Sequence, residues 1–417
     1  MFNPRKFVFK VVTILLVLGL SPLGMQQVQG AAQNVPQGQG GIVVENATVA
    51  VEFGKSIKFS AIIKDQIPNK QVSILFRGID EKITRVETVT VADNGSVEYT
   101  YDASLNVFPP FSWIVFWFQA TLADGITYTS SPITFQYNDN RFPWREATRA
   151  NVTVHWYAGD DAFGAAALDA AGSGLLAMNE IIPVSLDTAV NVYIYSNVED
   201  LKGTLELGGE SWAGGHANPE LGVVLVAIAP GTPQNIEMEV EIPHEITHVM
   251  LYKALGENYV KQPAWLLEGI ASMVELYPNP DYARALEIAS ESDSLLSYED
   301  MCASFPADAG NAFLAYAQSQ SFVNFIRNTY GNTGLTRLMD SYGDGFSCEL
   351  GATNALGTPL SQLDARWRET VLGQNVLGVA ARNLSPFILL MALVLVVPLW
   401  GAIDLLRQRR KRGQQPE

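Results

Sequence analysis

The chain has 417 residues, nearly half of them hydrophobic, with 27 basic residues against 43 acidic and a formal charge of −16. That length allows two or three domains, each with its own core, while the acidic balance argues against nucleic acid or an anionic lipid surface as a bound partner. With two cysteines and four histidines in all, covalent pairing and metal chemistry are confined to very few positions.

The first thirty residues read as a secretory signal. Arg5, Lys6 and Lys10 precede an apolar stretch at 11–20, which ends near the small-residue segment Val28-Gln29-Gly30. The apolar stretch is short for a membrane span, so cleavage is expected. A polar, glycine-rich spacer follows at 31–41. From Ile42 short alternating runs dominate, such as 48–53, 56–63, 72–76 and 113–118, with Asn94-Gly95 and Asp124-Gly125 turns between them. About seven strands at this spacing predict an immunoglobulin-like β-sandwich over 42–140. Its tryptophans Trp113 and Trp117 read as core rather than as a carbohydrate platform.

The segment 138–144 (Asn-Asp-Asn-Arg-Phe-Pro-Trp) marks a boundary. Beyond it the pattern predicts strands at 152–157, 190–195 and 222–229 and a helix at 161–181. Further helices are expected after Pro233 and at about 264–276, 310–329, 334–342 and 359–372. Strands first and helices afterwards predict an α+β domain over 145–375. His155 alternates with apolar neighbours and reads as structural. Cys302 and Cys348 read equally as a disulfide or as two buried thiols, since spacing alone does not set their distance.

Two of the four histidines fall in His244-Glu245-Ile246-Thr247-His248. On a helix this H-E-x-x-H spacing puts two imidazoles one turn apart on one face, where both can hold one Zn²⁺. Glu245 lies beside the metal, placed to take a proton from water. Twenty residues past His248, Glu268 in Trp265-Leu266-Leu267-Glu268-Gly269 is spaced to be a third ligand, leaving a fourth position open as catalytic zinc requires. A solvated surface helix is the bland alternative. Against it, Ile242, Ile246, Val249 and Met250 recur at helical steps, so the segment is partly buried and its histidines need partners.

At these residues the chain resembles the gluzincin metallopeptidases of the peptidase MA clan. The stretch 265–271 is similar to the W-L-x-E-G-x-A helix of the aminopeptidase N-type branch, and the segment from Ala315-Tyr316 to Tyr330-Gly331 resembles the helix bearing that branch's catalytic tyrosine. The resemblance covers about 145–375. It implies a gluzincin-type fold, one zinc on His244, His248 and Glu268, Glu245 as general base and Tyr316 as oxyanion donor, with a packed core tyrosine as the competing account of Tyr316. It also implies a cleft edge just before the metal helix, where Gly214, Gly215 and His216 are candidate substrate-binding residues; a loop histidine without function is the other reading of His216. The chain departs from the branch in three places. No G-x-M-E-N segment precedes His244, Gln318-Ser319 replaces a lysine-glycine pair, and Ser272 stands where thermolysin-like enzymes carry an aspartate.

Near the C-terminus, residues 386–403 carry no charge, Leu405-Leu406 extend the run, and Trp400 suits an interface. Arg407, Arg409, Arg410, Lys411 and Arg412 follow. This predicts one transmembrane helix at 386–406 with a cytoplasmic tail at 407–417 and everything before it outside, a single-pass cell-membrane protein. The functional expectation is a membrane-anchored zinc metallopeptidase, an endopeptidase acting on peptide or protein substrates. Its rivals are a non-catalytic cell-surface binding or adhesion protein with a structural zinc, and a zinc hydrolase of another substrate class.

Overall fold

Alternation along the early strands builds two sheets that share one core. In a computed structural model, described over residues 25–26, 41–64, 71–105, 107–185, 189–207, 215–374, 384–392, 394–396, 398, 400–401, 403 and 405–406, the first sheet is antiparallel. It runs in the order β1 (Met25–Gln26), β2 (Val44–Glu52), β3 (Ser56–Ile63), β6 (Ser96–Asp102). The second runs β5 (Arg85–Val89), β4 (Gln71–Gly78), β7 (Trp113–Thr121), β8 (Thr127–Thr129), with β9 (Ile133–Gln136) also on β7. Every second residue of β3 and β4 is buried, as a half-buried pleat requires. Phe59 of the first sheet meets Phe76, Phe116 and Phe135 of the second at 5.3, 5.1 and 5.8 Å between ring centroids, so the two sheets close face to face. Trp117 is buried, whereas Trp113 is partly exposed.

Contacts divide the chain into two units. The first takes residues up to Pro143 together with Glu199–Trp212, and the second takes Trp144–Val198 and the chain from Ala213 onward. Helix α2 (Val198–Leu207), unexpected from the sequence, therefore packs with the sandwich. A fully buried Asp139 fixes it, bonded to the Arg141 guanidinium (2.6 and 2.8 Å) and to the Thr204 hydroxyl (2.9 Å).

The second unit is built on a five-stranded sheet in the order β10 (Arg145–Arg149), β11 (Val152–Trp156), β12 (Val190–Tyr195), β14 (Val223–Ala227), β13 (Gly215–Asn218). The three central strands are parallel, and β10 and β13 are antiparallel edges. Helices α1 (Asp161–Ile181), α3 (Gln234–Leu255), α4 (Ala264–Val274), α5 (Asp281–Glu291), α6 (Ala309–Gly343), α7 (Cys348–Leu356) and α8 (Leu360–Thr370) complete it. The two helices expected at 310–329 and 334–342 form one run broken at Gly331, whose φ of 71° suits glycine. Trp265, Tyr298, Phe322 and Trp367 form the centre of the helical core. Cys302 and Cys348, with Cα atoms 6.3 Å apart, are disulfide-bonded.

The membrane span expected at 386–406 is not borne out. Among the described residues no helix is long and apolar enough to cross a membrane. The longer helices α1, α3 and α6 are interrupted by charged or polar side chains. A span needs about 20 consecutive apolar residues in one helix, and an uncharged run in the sequence measures composition alone. The single-pass localisation, the orientation read from the basic tail and the membrane partnership through a C-terminal helix lose their basis with it. Apart from Met25–Gln26 and Gly41, the expected signal peptide and spacer lie outside the described residues, as does the tail at 407–417.

Candidate metal centre

Helix α3 buries Met238, Ile242, Ile246, Val249, Met250 and Leu251 in the core. The 3.6-residue repeat then carries His244 and His248 onto one adjoining face, with their rings 5.3 Å apart. Helix α4 brings Glu268 to the same place. One atom from each of His244, His248 and Glu268 lies within 4.8 Å of the others, the one such group among the described residues that could hold a metal ion. Glu268 Oε2 is 3.3 Å from His244 Nε2 and 3.6 Å from His248 Nε2.

Each imidazole is held from behind. His244 Nδ1 is 3.0 Å from Glu275 Oε1, and His248 Nδ1 is 3.0 Å from the Tyr259 hydroxyl. A carboxylate can only accept, so Nδ1 of His244 carries a hydrogen. Burial opposes a charge on this ring, but the bonds to Glu268 and Glu275 outweigh it and hold its pKa well above the ordinary value. Burial likewise acts to raise the pKa of Glu268, and the two imidazoles overcome it and hold the carboxyl well below its usual range. A cation among the three groups would stand in for the Nε2 proton. Two imidazole nitrogens, one carboxylate oxygen and engaged Nδ1 atoms fit the His₂Glu donor set of an open zinc site.

Glu245 is buried beside this group, and burial pushes its pKa up despite the nearby imidazoles. Glu241, one turn earlier, is pushed up to about 7 by burial and by the charge of Glu245. The ring of Tyr316, on α6, lies 6.0 Å from that of His244 and is backed by Phe305 at 5.0 Å. Burial, with Glu268 and Glu245 nearby, raises its pKa well above the ordinary value, so the hydroxyl keeps its proton.

Close approach of α4 and α6 puts Glu268 and Tyr316 on one site. A Cβ on Gly269 would fall 2.5 Å from Val323 Cγ2 and 2.6 Å from the Ser319 carbonyl oxygen. The Gln318-Ser319 pair that departs from the family pattern thus has a packing task. Ser319 presents its backbone to Gly269, and Gln318 bonds both the N–H and the carbonyl of Leu296, at 2.7 and 3.1 Å.

Of the other candidates, Gly215 and His216 lie in the edge strand β13, and His216 is close enough to Glu245 to act on it electrostatically. Gly214 lies outside the described residues. His155 bonds Asn191 at 3.1 Å and stacks on Tyr193 at 4.2 Å. The sequence reading missed Glu275 and Tyr259. Glu275 stands seven residues past Glu268, two turns along the same helical face, and that spacing was a usable signal. Nothing in the sequence singled out Tyr259.

The sequence model of the Peptidase MA superfamily matches residues 170–373. No curated protein gives a significant match. Among solved structures, a mutant M1 zinc metallopeptidase from Deinococcus radiodurans is similar at 11% identity and a TM-score of 0.35, covering 80% of this chain and 95% of its own. An aminopeptidase N family protein from Idiomarina loihiensis is similar at 9% identity and a TM-score of 0.36, covering 76% and 72%. Both likenesses are loose.

Proposed function

We propose, from the match of residues 170–373 to the sequence model of the Peptidase MA superfamily, that this chain is a zinc-dependent metallopeptidase that cuts peptide bonds within protein or peptide substrates. The observation that carries the reading is the convergence of His244, His248 and Glu268 with a buried carboxylate, Glu245, beside them. A structural zinc has no use for that carboxylate. Zinc held by the three ligands would polarise the scissile carbonyl and lower the pKa of a water.

Glu245 takes the proton of the attacking water and passes it to the leaving amine. Its raised pKa brings the carboxylate nearer neutrality, as a general base requires. Tyr316 donates its retained proton to the oxyanion that develops on the substrate carbonyl. Glu275 and Tyr259 fix the two imidazole planes. An extended substrate pairs with the outer edge of β13, the last strand of its sheet among the described residues, alongside Gly215 and His216. Cutting within the chain rather than at its N-terminus is favoured by the lack of a G-x-M-E-N segment ahead of His244. Mass spectrometry of a mixed peptide library tests this, since an endopeptidase gives internal cuts and an aminopeptidase gives stepwise N-terminal trimming.

A further inference from the structure

Pro243 sits inside α3, immediately before the first histidine. Proline has no amide hydrogen, so the carbonyl four residues earlier, that of Glu239, lacks its helical donor, and the ring crowds that carbonyl away from the helix axis. In this protein the Glu239 carbonyl is not left bare. It accepts the backbone N–H of Leu276 at 2.9 Å. Leu276 follows Glu275, where α4 ends and the backbone turns extended (φ −49°, ψ 129°). The next residue back from this bond is therefore the one whose carboxylate grips His244 Nδ1 at 3.0 Å.

We infer that Pro243 is a positioning residue for the metal centre: by freeing the Glu239 carbonyl for Leu276, it fixes Glu275 against His244. The inference rests on the proposed metal reading and deepens it. Proline inside a helix costs stability, and α3 bears that cost directly beside the histidine whose orientation it serves. Glu275 is almost fully buried, and its Oε2 has no hydrogen-bond partner among the described residues. Side-chain bonding therefore fixes this carboxylate through Oε1 alone, and its placement depends on the backbone that carries it. A second account must be separated from this one. Gly174 of α1 packs on Pro243, where an added Cβ would fall 2.8 Å from Pro243 Cα, so the proline could serve helix packing alone.

Pro243→Ala in the full chain distinguishes the two. Alanine supplies the missing N–H, which bonds the Glu239 carbonyl and displaces Leu276. The metal-free protein should then melt no lower than wild type, because a helix breaker has gone. Zinc affinity should nonetheless fall about 10–100-fold, the usual cost of losing a ligand's outer partner. The Leu276 amide should exchange faster with solvent. Glu275→Gln should weaken zinc to a similar degree, and the double variant should bind little worse than either single one, as expected when two changes break one link. If Pro243→Ala does not fold, Pro243→Gly restores the same N–H with less bulk and takes the same measurements. Wild-type zinc affinity in the proline variant, or full additivity with Glu275→Gln, overturns the inference and leaves the metal reading standing. Absence of zinc binding by the wild-type chain overturns both.

Discussion

Replacing Gly269 by alanine should loosen the metal centre from the side opposite the histidines. The new Cβ would stand 2.6 Å from the Ser319 carbonyl oxygen and 2.9 Å from its carbon, both backbone atoms of α6, and 2.5 Å from a Val323 methyl. The valine can rotate, but the backbone cannot, so α4 and α6 must part by roughly 0.8 Å to restore ordinary contact. Overpacking of this kind costs about 1–3 kcal/mol, and the better helix propensity of alanine returns up to about 1 kcal/mol. Because the clash is with backbone, the upper part of that range, about 2–3 kcal/mol, applies; the net loss is then about 1–2 kcal/mol, a fall of roughly 2–8 °C in the melting transition of a unit this size. Glu268 precedes Gly269 in the chain, so zinc affinity should fall with the midpoint. Thermal melting and zinc titration of Gly269→Ala check both. A midpoint at or above wild type with unchanged zinc affinity would refute the close packing as the device that sets Glu268.

Tyr316→Phe should leave folding and zinc content intact and lower kcat by about 10²–10³, the cost of one oxyanion donor; unchanged turnover would return Tyr316 to a packing role. Metal affinity should weaken in acid. Although burial opposes its charge, Glu268 and Glu275 hold the His244 pKa well above the ordinary imidazole value. Below that raised pKa a metal must displace the proton, so affinity should drop by about tenfold per pH unit as pH falls. Calorimetric titration at several pH values checks this, and a flat profile contradicts it. Cys302→Ser should cost up to about 4 kcal/mol by the chain-entropy estimate for a bridge of 46 residues' separation, and equal denaturation midpoints for both proteins would remove the bridge from the account.

The metal triad was legible because its chemistry imposes a spacing. Two imidazoles from one helix that share a cation stand three or four residues apart, and Glu268 needs only one more helix packed alongside. What holds those groups was less legible. The Leu276 bond to Glu239 joins α3 to the segment that follows α4, and neither partner has a side chain that announces it. The central strands and long helices of the second unit follow from runs of apolar residues. Strand β13 lies in a glycine-rich stretch with little hydrophobic pattern, and α2 has only three buried residues to mark its inner face. Hydropathy misled at the C-terminus, where an uncharged run predicted a span and no described helix has the length and apolar character for one.

Incubating the full chain with a mixed peptide library tests the central claim most directly, with chelator and with Glu245→Gln in parallel, and metal content measured on each sample. The account predicts internal cuts that vanish with chelator and vanish again in Glu245→Gln, although that variant keeps about one zinc per chain. Cuts at the wild-type rate in Glu245→Gln, or a wild-type chain that retains no metal, would contradict it.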